Sequence, residues 1–258
     1  MTHVRVSGLA KSYRAGDDAV PALADVNLEV REGEFVSVVG PSGCGKSTLL
    51  YILGGFLRTD VGVAEVGGRV IAGPVIDRGI VFQEYALFPW LTVLQNICYG
   101  LEMTGMREPE RLKRADAFVR MIGLQGFEHR FPRELSGGMK QRVAIARTLA
   151  YDPAILLLDE PFGALDSQTR ESMQDELLRI WLDTRKTVIM ITHDVNEAVY
   201  LSQRVYVMSR RPGRIVEEFS VALNRSLSRE EIMLSPEFND LRNQVWLSVR
   251  RQAAPANS

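Results

Sequence analysis

Apolar residues in this chain fall into two kinds of pattern, and their order predicts a fold class. Short apolar runs at 34–39, 154–158 and 187–192 have the length and composition of buried strands. Helical spacing appears over 46–53, stopped by Gly54 and Gly55, and over 138–150, stopped by Asp152 and Pro153. It returns over 167–184, with Met173, Leu177, Leu178 and Trp181 on one face, and briefly over 196–201. Val4, Val6 and Leu9, then 22–30 ahead of a turn at Glu32 and Gly33, read as strands. The Gly- and Val-rich stretch 61–82 reads as short antiparallel strands ending in Gly79-Ile80-Val81-Phe82. Residues 93–123 turn helical, with breaks near Gly105 and Pro109, and Arg211-Pro212-Gly213 between 205–208 and 214–219 predicts a hairpin. Strands alternating with helices predict an α/β fold with a parallel core, and the almost wholly helical 90–150 predicts a lobe inserted into it.

Composition narrows the function classes. There are 31 Lys+Arg against 32 Asp+Glu, a net charge of −1, so the basic excess of a general nucleic-acid binder is missing. Two cysteines, Cys44 and Cys98, build neither a disulfide framework nor a four-ligand zinc site, and three histidines exclude a His-rich metal centre. No run approaches the ~20 apolar residues that span a bilayer. His3 and Arg5 are not followed by the apolar stretch of a secretory leader, so none is expected. The chain reads as a protein of the reducing cytosol.

Candidate chemistry starts at Gly40-Pro41-Ser42-Gly43-Cys44-Gly45-Lys46-Ser47, which fits G-x-x-x-x-G-K-[ST] between an expected strand and an expected helix. Its glycines let backbone N–H groups turn toward phosphate oxygens, and the helix start adds a positive dipole end. Lys46 reaches the β- and γ-phosphates of a nucleoside triphosphate, and the Ser47 hydroxyl suits Mg²⁺. Cys44 reads as a small loop residue. About 110 residues on, Ile155-Leu156-Leu157-Leu158 ends in Asp159 and Glu160. One acid there is ordinary, but after a phosphate loop the strand is expected beside the loop's own strand. Asp159 then supports Mg²⁺, and Glu160 serves as general base for an attacking water.

Leu135-Ser136-Gly137-Gly138-Met139-Lys140-Gln141-Arg142 opens the second long helix, where Ser136 and two bare glycines make a second anion-binding helix start. A phosphate cradle, this cap and an acidic strand in one chain resemble the ABC ATPase family, whose hallmark is L-S-G-G-x ahead of that strand. The resemblance implies further roles. Gln83 looks like the Q-loop glutamine, a catalytic and metal-facing residue, and Ala164-Leu165-Asp166 like the D-loop. His193 looks like the switch histidine, and Tyr13, 27 residues before Gly40, like the aromatic that stacks on adenine. Thr48, directly after the phosphate motif, is a further cofactor-binding candidate. Met139, where Gln is common, departs from the family pattern. The implied mechanism is a head-to-tail pair of copies holding two ATP, each between one copy's phosphate loop and the other's Ser136–Gly138 cap.

Within the family, the single phosphate loop, the absence of membrane helices and about 90 residues from Gly45 to Ser136 point to a separate subunit that docks on a permease. The run 83–93 (Gln83 to Val93), Tyr99-Gly100-Leu101, Met173-Gln174, Trp181 and Arg211-Pro212-Gly213-Arg214-Ile215 resemble the nitrate/sulfonate/taurine importer subunits over about 4–250. That implies an ATPase at the cytoplasmic face of the membrane, energising uptake of taurine or a related sulfonate or small anion delivered by a solute-binding protein. Nitrate or thiamine-precursor import and a non-transport regulatory or assembly ATPase stay open. Phe88, Pro89 and Trp90 form either a permease-docking groove floor or a local apolar cluster. The expected organisation is one ATPase domain over 1–220, with its helical lobe at about 90–150. A tail over 221–258 follows, expected to be a solvated helix with Arg225, Arg229, Arg250 and Arg251 interleaved with acids, anionic lipid contact being the alternative.

Overall fold

The computed structural model describes residues 2–16, 18–163 and 165–253. Its contacts divide into two compact units, one of Met1–Val75 with Thr184–Ser258 and one of Ile76–Asp183.

The first unit opens with two long strands, β1 (Thr2–Ala15) and β2 (Asp18–Arg31), paired antiparallel. β3 (Phe35–Val39) is buried at every position, which is why its sequence is a continuous apolar run rather than an alternating one. It leads through 40–45 into helix α1 (Lys46–Gly54). Gly55 ends that helix in the left-handed region, returning its N–H to the carbonyls of Ile52 and Tyr51. β4 (Val61–Val66) and the short β5 (Arg69–Val70) then extend an antiparallel sheet of order β2-β1-β4-β5.

The second unit begins with β6 (Arg78–Val81) and continues into helices α2 (Val93–Glu102) and α3 (Glu108–Met121). After a 3-10 turn at Pro132–Glu134 come α4 (Gly137–Ala150), β7 (Ile155–Asp159) and α5 (Ser167–Thr184). Val93, Ile97, Leu101, Val119, Ile122, Val143 and Ala146 share one core among α2, α3 and α4, so the expected helical lobe exists. Gly100 permits the approach of α2 to α4, since a Cβ there would lie 2.5 Å from Tyr151 Cδ1. The expected break near Gly105 and Pro109 lies at 103–107, between α2 and α3, and Pro109 sits in the first turn of α3, where its missing N–H has no intrahelical partner to lose. One expectation fails here. β6 is not antiparallel like the preceding strands, because it pairs parallel with β7, Arg78 beside Ile155.

The chain re-enters the first unit through β8 (Thr187–Ile191), the seven-residue helix α6 (Val195–Leu201), β9 (Arg204–Met208) and β10 (Ile215–Ser220). β3 lies parallel between β8 and β9, and β10 returns antiparallel to β9, the expected hairpin. Both edges of β3 are thus taken within this unit. Its neighbour is the strand leading to His193, not the acidic strand expected from the sequence. Helices α7 (Arg229–Leu234) and α8 (Pro236–Ala253) follow, and α8 packs on α6 and β9 with Phe238, Val245 and Ser248 buried. This segment is therefore not simply solvated. Arg225 donates to backbone carbonyls, Arg229 and Arg250 lie over the rings of Tyr200 and Trp246, and Arg251 pairs with Glu217. No described helix is long and apolar enough to cross a membrane.

Candidate functional site

In the first unit the loop between β3 and α1 has the geometry of a phosphate cradle. Gly43 and Gly45 take φ of 73° and 104°, a region that L side chains rarely adopt. A Cβ on Gly45 would also fall 2.7 Å from Leu23 Cδ2 and 2.9 Å from the Ala22 carbonyl. α1 starts at Gly45 with no side-chain cap hydrogen bond, the kind of helix start that suits an anion. Lys46 is only 6% exposed, and its ammonium donates to the carbonyls of Gly40 (2.9 Å) and Pro41 (3.1 Å). A buried cation solvated by two neutral carbonyls retains its attraction for phosphate. Ser42 and Gly43 are exposed, and Ser47 and Thr48 are half-buried. Cys44 is buried with its thiol pushed up by desolvation against the opposing pull of Lys46, so it stays protonated and unreactive at neutral pH. Tyr13, 39% exposed on β1, brings its hydroxyl 3.1 Å from Thr48 Oγ1, which places the expected adenine-stacking ring at the first turn of α1. His193 is exposed in the turn between β8 and α6.

In the second unit Asp159 is buried at the end of β7, and Glu160 after it is half-buried. Glu160 has φ 44°, a left-handed backbone that costs a non-glycine residue about 1–2 kcal/mol, held by the N–H of Gly163 donating to its carbonyl at 3.1 Å. Gln83 is brought to the same place. A Cβ on Gly163 would lie 3.7 Å from Gln83 Nε2 and 3.8 Å from Glu160 Oε2. Ser136 caps α4, its hydroxyl accepting from the Met139 N–H at 3.3 Å while the residue stays exposed. With Gly138, Met139, Arg142, Gln168, Thr169 and Ser172 it lines an open pocket of about 340 Å³. Gly138 has to be bare, because a Cβ would meet Thr169 Cγ2 at 2.5 Å. Asp166 accepts the N–H of Thr169 at 3.0 Å, and these backbone donors hold its carboxyl below the usual range. Ala164 of the expected D-loop lies outside the described residues.

These features agree with a family-level match: the ABC transporter family model covers residues 23–163, more than half of the chain. The chain belongs to this family. A nitrate import ATP-binding protein of Synechocystis is 49% identical over 86% of the chain and 83% of its own length. A taurine import ATP-binding protein of Yersinia pestis is 45% identical over 96% of the chain and 98% of its own length. Among solved structures, an ATP-binding cassette dimer in a post-hydrolysis state with ADP and Pi is 36% identical. It aligns with a TM-score of 0.75 over 86% of this chain and all of that one. The protein is accordingly an ABC-type ATPase coupled to transport, built on a P-loop α/β fold.

Two residues that order this ABC cassette escape sequence reasoning. Arg147 on α4 donates to the carbonyls of Ala86 (2.7 Å) and Tyr85 (3.3 Å), both with left-handed backbones, and its guanidinium lies 5.6 Å over the Phe88 ring. Desolvation draws its pKa down. Asn96 is fully buried, accepting the Phe88 N–H at 2.9 Å and donating to the carbonyls of Phe88, Leu91 and Thr92. Together they pin the loop after Gln83 to the helical lobe. The trace in the sequence is faint, since Asn96 stands directly after a second amide, Gln95, in α2.

Proposed function

We propose that the protein is the energy-coupling subunit of a binding-protein-dependent importer of a small anion, taurine or a related sulfonate, with nitrate equally compatible. Two copies hold ATP head to tail. The phosphate loop of one copy, 40–48, binds the triphosphate, and the exposed Ser136 hydroxyl with the Gly137 and Gly138 amides of the other caps the γ-phosphate. What supports this pairing is that one chain carries both a complete phosphate cradle and a separate, open helix start with a bare Gly138. The dimeric ADP–Pi cassette among its structural relatives supports it further.

Tyr13 stacks on the adenine. Lys46 balances β- and γ-phosphate charge, Glu160 accepts a proton from the attacking water, and Gln83 and His193 orient that water. Asp166 sets the loop that faces the second copy. Ser47, Gln83 and Asp159 are oxygen donors of the hard kind that Mg²⁺ takes, few enough to leave positions for phosphate and water. When bound, Mg²⁺ neutralises charge developing on the phosphate oxygens.

Docking to the permease uses the loop after Gln83. The Phe88 ring packs tilted against Tyr99, centroids 4.4 Å apart, and lies 5.7 Å from that of Trp90, which is 69% exposed. Such a rigidly pinned aromatic shelf fits a short helix from a membrane subunit. The location follows: the cytoplasmic face of the membrane, through that subunit.

The decisive experiment is Glu160→Gln. It is expected to bind ATP, to hydrolyse it at least about 100-fold more slowly, and to run as a dimer in gel filtration with ATP and Mg²⁺. Near-normal turnover, or a monomer under those conditions, overturns the mechanism. In proteoliposomes carrying the permease, the ATPase responds to binding protein loaded with taurine or to that loaded with nitrate, which decides between substrates.

A further inference from the structure

The C-terminal segment reaches the turn that carries His193. Helix α6 has seven residues, too few to hold itself together in isolation. Its last carbonyls have no intrahelical donors, and Tyr200, Leu201 and Ser202 around them are buried, so those carbonyls require donors from elsewhere. Arg225, beyond β10, supplies them. Its guanidinium donates to the carbonyl of Tyr200, to that of Ser202 at 2.7 Å and to that of Val199 at 3.4 Å. Arg229 closes the same end from above, 4.4 Å over the Tyr200 ring.

At its other end α6 is tied to both neighbours of His193. Glu197, 5% exposed, accepts the Thr192 hydroxyl at 2.6 Å. Thr192 Oγ1 in turn accepts the Asp194 N–H at 3.0 Å. Asp194 Oδ1 caps the helix through the N–H groups of Asn196 (2.7 Å) and Glu197 (3.4 Å). The backbone immediately before and after His193 is thus fastened to a buried carboxylate on α6, and α6 is fastened at its far end by Arg225.

We propose that Arg225 is a positioning residue for the His193 turn, acting through α6 and the Thr192–Glu197 brace, so that hydrolysis depends on the C-terminal segment. The proposal rests on the reading of His193 as the residue that orients the attacking water, and it goes beyond that reading by making the segment after β10 part of the catalytic apparatus.

The test is a mutant cycle on the full chain, reading ATPase kinetics, affinity for a fluorescent ATP analogue and thermal melting. Arg225→Ala is expected to lower kcat roughly tenfold while KM and analogue affinity stay within about twofold, since nothing in the phosphate loop has moved. Arg225→Lys keeps the charge but gives up the planar fork, and is expected to fall between Ala and wild type; it serves also if the Ala variant fails to fold. Thr192→Val, which removes one hydroxyl at nearly constant shape, should copy the kcat loss, and Thr192→Ser should restore it. In a His193→Ala background, Arg225→Ala should cost nothing further. An equal loss with and without His193 would overturn the proposal and leave His193 its role. A His193→Ala enzyme with full activity would instead overturn the reading of His193, and this inference with it. Wild-type kcat in Arg225→Ala overturns the inference alone.

Discussion

Gln141 shows what a single residue can cost. It lies on α4, five residues beyond Ser136, with no exposed surface, and neither its amide oxygen nor its nitrogen is paired among the described residues. A buried amide without partners costs on the order of 1–3 kcal/mol, while an apolar side chain of the same shape costs nothing in hydrogen bonds. Met is unbranched and close to Gln in volume. Gln141→Met is therefore expected to stabilise the isolated protein by about 1–2 kcal/mol and to raise its melting temperature by a few degrees, checked by calorimetry without nucleotide. A lower melting temperature would mean that the amide has found partners. At this scale, legibility in the sequence follows from what a residue bonds to. Lys46, Ser47 and Ser136 serve a local backbone turn, and a local turn leaves a spacing. Asn96, Arg147 and Arg225 serve backbone carbonyls of other segments, and a carbonyl leaves no mark on the sequence, because every residue has one. The arginines after residue 220 were for that reason expected on a solvated helix, whereas Arg225 is buried enough that desolvation brings its pKa down to about 10.

Elements were easier to foresee than their neighbours. The strands and helices follow from apolar period and from glycine and proline punctuation. Pairing direction and order do not, since β6 and β3 look the same locally whether they sit parallel or antiparallel, central or at an edge. The hairpin between β9 and β10 illustrates the gap. Its Arg211-Pro212-Gly213 turn was legible as a turn, but nothing local says that it backs the phosphate loop. Gly213 exchanges backbone hydrogen bonds with β2, its N–H donating to Ala22 at 2.8 Å and its carbonyl accepting from Ala24 at 3.0 Å. Arg211 Nε adds a bond to the Pro21 carbonyl at 3.0 Å. A Cβ on Gly213 would lie 2.1 Å from the Cys44 carbonyl and 2.5 Å from Met208 Cε. The first of these is backbone and cannot swing away, so the phosphate loop itself has to shift. Gly213→Ala is therefore expected to weaken binding of a fluorescent ATP analogue by about tenfold, a loss near 1.4 kcal/mol. Gly73→Ala, where a Cβ meets nothing within 4 Å, should bind as wild type does. Equal affinities in the two variants would show that the hairpin does not support the loop.

For the whole molecule, the near-zero charge acquires meaning only together with the exposed aromatic shelf. Trp90 is 69% exposed against Phe88, which also meets the 40% exposed Tyr99, while the loop beneath is fixed by Asn96 and Arg147. A side chain with that much surface in water adds little to the fold; changes at such positions usually alter stability by less than about 0.5 kcal/mol. Aromatic anchors in a protein interface, in contrast, often carry 2 kcal/mol or more of the binding energy. The two roles separate cleanly in Trp90→Ala. If the shelf receives the permease, the variant melts within a degree or two of wild type and keeps its own ATPase rate within about twofold. In proteoliposomes, transport and its stimulation of hydrolysis then fall at least about tenfold, the consequence of losing some 1.4 kcal/mol or more of docking energy. If Phe88, Tyr99 and Trp90 are only a local cluster over the helical lobe, the order reverses: melting drops and coupling survives in whatever protein remains folded. Normal transport from a protein of normal stability would place the permease contact elsewhere on the surface.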